Sequence, residues 1–136
     1  MIKRLIEPAE VALIISVNDD VEERYGCLKG EWVQFLVSIC EDPRVFIVGI
    51  FDEEDNMIGY ALSQNYICPP LSNAVHIIYA CSPHYMRDIE LAIDEIKSWA
   101  IGLGANKITV TTRSPEILLD RYDFKESEYR ILEIDL

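Results

Sequence analysis

The sequence has no long apolar run. Its longest apolar stretches, Val11–Val17, Val45–Phe51 and Ala74–Cys81, fall far short of the roughly 20 residues that cross a bilayer, so no membrane span is expected. Cations are scarce too: 12 Lys and Arg stand against 24 Asp and Glu, a formal charge of −12. Nonspecific nucleic-acid binding needs a basic face that displaces counterions, and docking on anionic lipid needs one as well. Neither nucleic acid nor membrane is an expected partner. Cysteines occur at 27, 40, 68 and 81, but with no Cys-x-x-Cys and no cysteine–histidine pair at finger spacing, which argues against structural zinc, and no metal is expected. Four cysteines could form two disulfides. Cys40 and Cys81 close apolar runs, however, the setting of a buried free thiol, which suits a reducing, cytoplasmic compartment. Met1–Pro8 carries no signal-peptide h-region or cleavage site.

What is present is a chain of 136 residues, 50% apolar and 26% charged. That predicts one folded domain over residues 1–136 rather than a disordered acidic tail. A domain of this size buries roughly two-thirds of its unfolded surface.

Met1–Ile6 reads as an edge strand. Pro8 fits the first turn of a helix, expected from about Ala9 into Asn18-Asp19-Asp20. Trp32, Phe35, Leu36 and Ile39 fall at i, i+3, i+4, i+7 and predict a second helix, ended by Glu41-Asp42-Pro43. Val45–Phe51 and Met57–Tyr66 read as a hairpin around the acidic turn Asp52–Asn56, and Ala74–Ala80 as a strand covered on both faces. A long helix from about Asp88 to Leu103 places Ile89, Ala92, Ile93, Ile96, Trp99, Ala100 and Leu103 on one stripe, and Gly102 and Gly104 suit its end. Lys107–Thr112 reads as a strand, Ser114-Pro115-Glu116 as a helix start, and Tyr129–Leu136 as a final strand. The order β, α, α, β, β, β, α, β, α, β implies an α/β (α+β) fold, a mixed central sheet with helices on both faces.

Four pieces of this chain carry a resemblance. They are Gly59 after the acidic turn, Ala74–Ser82 ending at Pro83, Ala100–Ala105 leading into Lys107-Ile108-Thr109-Val110, and Leu118-Leu119 through Tyr122-Asp123-Phe124-Lys125. In order and spacing the whole chain resembles the GCN5-related N-acetyltransferases. The resemblance implies acetyl-CoA as co-substrate. It further implies that the backbone of Tyr79-Ala80-Cys81-Ser82 pairs with the pantetheine arm and polarises the thioester; the same residues could simply end a core strand. The family's pyrophosphate loop, Gln/Arg-x-x-Gly-x-Gly/Ala, falls on Ser82-Pro83-His84-Tyr85-Met86-Arg87-Asp88-Ile89. No glycine lies between Gly59 and Gly102, so the loop is degenerate. Arg87 either pairs with a phosphate in place of backbone amides or is a solvated surface residue. Thr112, Arg113 and Ser114 match the region that contacts the coenzyme near the last helix, although Ser114 also suits a helix cap. The family's closing Gly-Phe is Asp123-Phe124 here, and its tyrosine acid falls on Leu119, with Tyr122 near by in another register.

No Asp or Glu occurs between Met57 and Arg87. That clears repulsion from the expected coenzyme face, or reflects buried strands that exclude charge. The usual glutamate base is therefore missing. His76, with a suitable pKa, is the substitute, unless it is a hydrogen-bonded core histidine. Tyr60, Ser63, Tyr79 and Tyr85 are candidate proton relays. Acids cluster in the first half, among them Glu7, Glu10, Asp19, Asp20, Glu22 and Glu23. They would draw a cationic acceptor such as a polyamine, an aminoglycoside or a Lys-rich protein tail, or merely solvate the surface. The expected function is acetyl transfer from acetyl-CoA to a primary amine, directly, without metal or covalent intermediate, with His76, Tyr79 and Tyr122 as proton-handling groups. The alternative is a non-catalytic protein of the same fold, kept for binding a protein partner or for assembly. The small acidic chain also resembles virus-encoded proteins of this type. A homodimer stays open, and an acidic decoy of nucleic acid fits less well with so much buried sheet.

Overall fold

Every residue of one strand, Val45–Phe51 (β2), is buried, because both of its faces are covered. Val45 and Ile47 belong to the core on one side, Phe46 and Val48 to the core on the other. The computed structural model describes residues 1–68, 72–112, 116–127 and 132–136. In chain order its remaining elements are β1 (Ile2–Arg4), α1 (Pro8–Val11), a 3-10 segment (Ala12–Ser16), α2 (Val21–Tyr25), α3 (Lys29–Ile39), β3 (Met57–Cys68), β4 (Ser72–Cys81), α4 (Tyr85–Gly102), β5 (Lys107–Val110) and α5 (Glu116–Arg121). The sheet has five strands in the order β1-β2-β3-β4-β5. Its pairs are antiparallel except β4 with β5, which are parallel and need the crossover that α4 provides. The expected mixed α/β sheet with helices on both faces is therefore the fold.

Two apolar cores follow from the period-2 alternation of the strands. Val11, Ile14, Trp32, Val33 and Leu36 pack with Ile47, Leu62 and Tyr79 on one face. Ala92, Ile96 and Ala100 of α4 pack with Val48, Ala61, Val75 and Ile77 on the other.

Four expectations are corrected. The first helix does not run from Ala9 to Asp20: α1 stops at Val11, a 3-10 segment follows, and α2 is a separate short helix. The buried residues Val11, Ile14 and Val17 recur every third position, the period of a 3-10 turn rather than of an α-helix. α2 closes on Gly26 at φ 68°, a left-handed position that favours glycine. α4 begins at Tyr85, ahead of the expected Asp88, and β5 ends at Val110, short of Thr112. The closing strand is not formed over 132–136. Those residues have no regular structure, and Leu132, Ile134 and Leu136 are exposed. Residues 128–131 lie outside the described residues. An alternating pattern favours a strand only where a sheet edge receives it.

Candidate functional site at the parting of two strands

β4 pairs with β5 from Ala74↔Lys107 to Ile77↔Val110, and there the pairing stops. On its other edge β4 continues along β3 to Cys81↔Tyr60, with one irregularity: Leu62 faces Tyr79 and Ser63 faces Ile77, so Ile78 is an extra residue. Such a bulge bends a strand and re-aims its side chains. The bulge and the end of the β4–β5 ladder coincide, so past Ile77 the β4 backbone edge has no strand partner on the β5 side among the described residues. A small cavity of about 50 Å3 opens at this point, walled by Ile77–Ala80, Val110–Thr112, Ile89 and Ile93 of α4, Leu118 of α5 and Arg24 of α2.

Gly59 holds the end of β4 close to β3. A Cβ at this position would stand 2.3 Å from the Cys81 carbonyl oxygen and 3.0 Å from the Ser82 Cα, so only glycine admits this approach.

A polar network from the α1–α3 face reaches the same place. Tyr79 is 2% exposed; its hydroxyl donates to Asp20 Oδ1 and accepts the Asp20 backbone N–H at 3.3 Å. The Tyr60 hydroxyl donates to Asp19 Oδ2 at 2.7 Å and accepts the Trp32 indole N–H at 2.9 Å. Lys29 forms an ion pair with the same Asp19 oxygen and donates to the Val17 carbonyl at 2.9 Å. Tyr25 stacks on Trp32, centroids 5.2 Å apart, and donates to the carbonyl of the bulged Ile78 at 3.4 Å. The Arg24 guanidinium lies 5.5 Å from the ring centroids of both Tyr25 and Tyr79. Burial, aided by the carboxylates they donate to, lifts both the Tyr60 and Tyr79 phenols far above the ordinary phenol range. Both stay protonated donors.

Of the residues singled out in the sequence, Tyr79, Ala80 and Thr112 meet at the cavity. Ala80, Cys81 and Ser82 also line a second, smaller hollow against Ile89 and Ala92. Burial pushes the Cys81 thiol up to about 11, so it is a neutral thiol and a poor nucleophile. His76 lies in the paired stretch of β4, level with Thr109, and is absent from the cavity wall. Its Nδ1 is 2.8 Å from Thr109 Oγ1, and burial lowers its pKa, leaving the ring neutral at pH 7. Tyr122 packs partly buried against Ile89, Ile93 and Leu118, three residues of the cavity wall, but does not itself line the cavity. Tyr85 and Met86 form the first turn of α4, with side chains outside the described ones; Arg113 and Ser114 lie outside the described residues.

The expected diphosphate loop carries its own anion. Asp88 is 3% exposed; one carboxylate oxygen accepts from Ser82 Oγ, the other from Arg87 Nε at 3.1 Å. Arg87 is thus paired, while most of its side chain stays exposed. The acid-free stretch from Met57 to Arg87 does not make an acid-free groove, because Asp52, Glu53, Glu54 and Asp55 of the preceding turn share one with His84, Arg87 and Asp88. The β2–β3 turn is remote in sequence from α4 and adjacent in space. Among the described residues no group of three or more His, Cys, Asp and Glu is placed to hold a metal, and no helix is long and apolar enough to cross a membrane.

Sequence reasoning missed Arg24, Tyr25 and Lys29, and read Trp32 only as helix core. Asp19 and Asp20 entered only as the end of the first expected helix and as part of a general acidic half. Their one local signal was a pair of adjacent acids ahead of an aromatic-rich segment, and nothing in it names Tyr79 as the partner.

No protein-family profile matches the chain, and no curated protein matches it by sequence. Solved structures do match. A probable acetyltransferase aligns over 100% of this chain and 97% of its own, with 14% identity and a TM-score of 0.79. The aminoglycoside antibiotic 6'-N-acetyltransferase from Acinetobacter baumannii aligns over 100% and 97%, with 10% identity and a TM-score of 0.75. The ribosomal-protein-alanine N-acetyltransferase from Brucella melitensis biovar Abortus 2308 aligns over 100% and 99%, with 14% identity and a TM-score of 0.70. The chain has the fold of the GCN5-related N-acetyltransferases.

Proposed function

We propose that this chain transfers the acetyl group of acetyl-CoA directly onto a primary amine. The observation that carries this is the coincidence of the Ile78 bulge with the end of the β4–β5 ladder. It leaves the Ile78–Cys81 edge without a strand partner on the β5 side among the described residues, where an extended amide-bearing arm would pair and N–H groups would polarise a thioester carbonyl. The amine nitrogen attacks that carbonyl, the C–S bond breaks, and the coenzyme leaves as its thiol. Asp20, exposed and hydrogen-bonded to the cavity-lining Tyr79, takes the proton lost by the amine. Tyr79, hydrogen-bonded to Asp20, passes its proton to the departing sulfur as it takes one back from Asp20, so that no buried tyrosinate forms. His76 is the other base to consider and Tyr122 the other acid; His76→Ala set against Asp20→Asn, and Tyr122→Phe against Tyr79→Phe, separate them by turnover.

The diphosphate end fits less well. Asp88 and the acidic turn oppose a dianion where glycine-rich loops offer amides. This favours a second reading, a non-catalytic protein that kept the fold for a binding or assembly partner. Thermal unfolding with acetyl-CoA, and with ADP as control, decides between them. At about 100 times its dissociation constant a ligand adds roughly 2.7 kcal/mol, about 8–10 °C for a domain of this size. A shift followed by thiol release in the presence of amines supports transfer. No shift at millimolar coenzyme supports the second reading.

A further inference from the structure

Asp20 immediately precedes α2 and Arg24 lies one turn on, with the Arg24 N–H bonded to the Asp20 carbonyl at 2.9 Å. At this spacing a carboxylate and a guanidinium ordinarily pair. Here they do not: among the described residues Arg24 forms no ion pair. Its guanidinium instead rests 5.5 Å from the Tyr79 and Tyr25 ring centroids and forms part of the cavity wall. Asp20 meanwhile is held by the Tyr79 hydroxyl. One phenol thus carries a carboxylate at its hydroxyl end and, over its face, a guanidinium with no ion-pair partner among the described residues; phenol and guanidinium both line the cavity where β4 leaves β5.

We infer that this arrangement is a receptor for a zwitterion and that the acceptor is an α-amino acid, its ammonium on Asp20 and its carboxylate on Arg24. The inference rests on the acetyl-transfer reading for the fate of the amine. A guanidinium presents paired donors that match a carboxylate. The surrounding wall of Ile77, Ile89, Ile93 and Val110 keeps water away and strengthens that contact. The same guanidinium acts against polyamines and aminoglycosides, whose second cation would meet Arg24 rather than an acid.

The test is calorimetric binding to the full chain, with and without coenzyme A, of each of the twenty common L-amino acids. For those that bind, the decarboxylated amine and the deaminated acid are measured alongside. At least one amino acid is expected to bind, and each analogue to bind at least about tenfold more weakly, the scale of one charge-assisted contact. Arg24→Gln is expected to lose about tenfold toward the amino acid and nothing toward the amine, and Arg24→Lys to recover part of the loss. Unchanged thermal unfolding of both variants shows that they fold. The inference is overturned if no amino acid binds at millimolar concentration, if the amine binds as well as the amino acid, or if Arg24→Gln leaves their ratio unchanged. Release of coenzyme thiol from acetyl-CoA is read separately. Amino-acid binding without release sinks the transfer reading and leaves the receptor standing, whereas equal turnover of amines lacking a carboxylate does the reverse.

Discussion

Removing one oxygen atom from Tyr60 tests how the α1–α3 layer is tied to the sheet. Tyr60 is 0% exposed, and its hydroxyl stands between the Trp32 indole N–H at 2.9 Å and the Asp19 carboxylate at 2.7 Å. Tyr60→Phe keeps the ring and its packing on Tyr79, with centroids 5.5 Å apart. It strands a buried indole donor and strips a donor from a carboxylate whose side chain is 3% exposed. The first loss is a neutral hydrogen bond, about 0.5–1.5 kcal/mol, and the second a charge-assisted one, about 1.5–3 kcal/mol. Lys29 still neutralises Asp19, which holds the total near the middle of the summed range, about 3 kcal/mol. For a domain of this length that is a fall in melting temperature of about 10 °C. Urea unfolding should show the midpoint falling with the slope unchanged. A cycle with Trp32→Phe should return a coupling of about 1 kcal/mol, the share of the indole contact. A loss below about 0.5 kcal/mol would refute the reasoning, since it would mean that water replaces the hydroxyl at both partners.

Gly59→Ala should cost about 1–3 kcal/mol through overpacking, because its methyl group would meet backbone at the Cys81 carbonyl; an unchanged melting temperature would show that β4 yields freely. Burial lowers the His76 pKa, so the unfolded chain takes up a proton that the folded chain refuses as pH falls below about 6.5. Stability should therefore be full above that pH and decline beneath it, and His76→Gln should flatten this part of the pH–stability curve measured by urea unfolding. Asp88→Asn keeps the side-chain shape while removing charge from the α4 start; it should tighten coenzyme A binding in calorimetry several-fold and leave pantetheine binding unaltered. Equal effects on both ligands would show that the carboxylate does not face the diphosphate.

Most of the fold was legible because it is written locally. Val45–Phe51, Ala74–Cys81 and the stripe from Ile89 to Leu103 carry the periods of a doubly covered strand and of an amphipathic helix, and the structure forms both strands and α4 there. The local rules failed where two periods compete. Val11, Ile14 and Val17 fit both an α-helix and a 3-10 turn on paper; burial at every third residue chose the second. They failed again at Leu132–Leu136, where alternation promised a strand and the segment has no regular structure.

The site was legible in one half only. Tyr79, Ala80 and Thr112 sit beside the strand parting because they belong to β4 and the residues just after β5, whose order is a matter of sequence. The other half comes from α2 and the residue just before it, far away along the chain: Asp20 and Tyr79 are separated by 59 positions. Which acid reaches which phenol depends on how the α1–α3 layer lies on the sheet, and packing of Val11, Ile14, Trp32 and Leu36 sets that. Charge behaved likewise. The sequence alone determined the excess of acid and the scarcity of loop glycines. Only the tertiary structure decided that Asp52–Asp55 and Asp88 share a groove and that Arg24 lines the cavity with no ion-pair partner among the described residues. The physical reason is that strand and helix periods act over a few residues, whereas electrostatic and hydrogen-bond partners are chosen by distance in space.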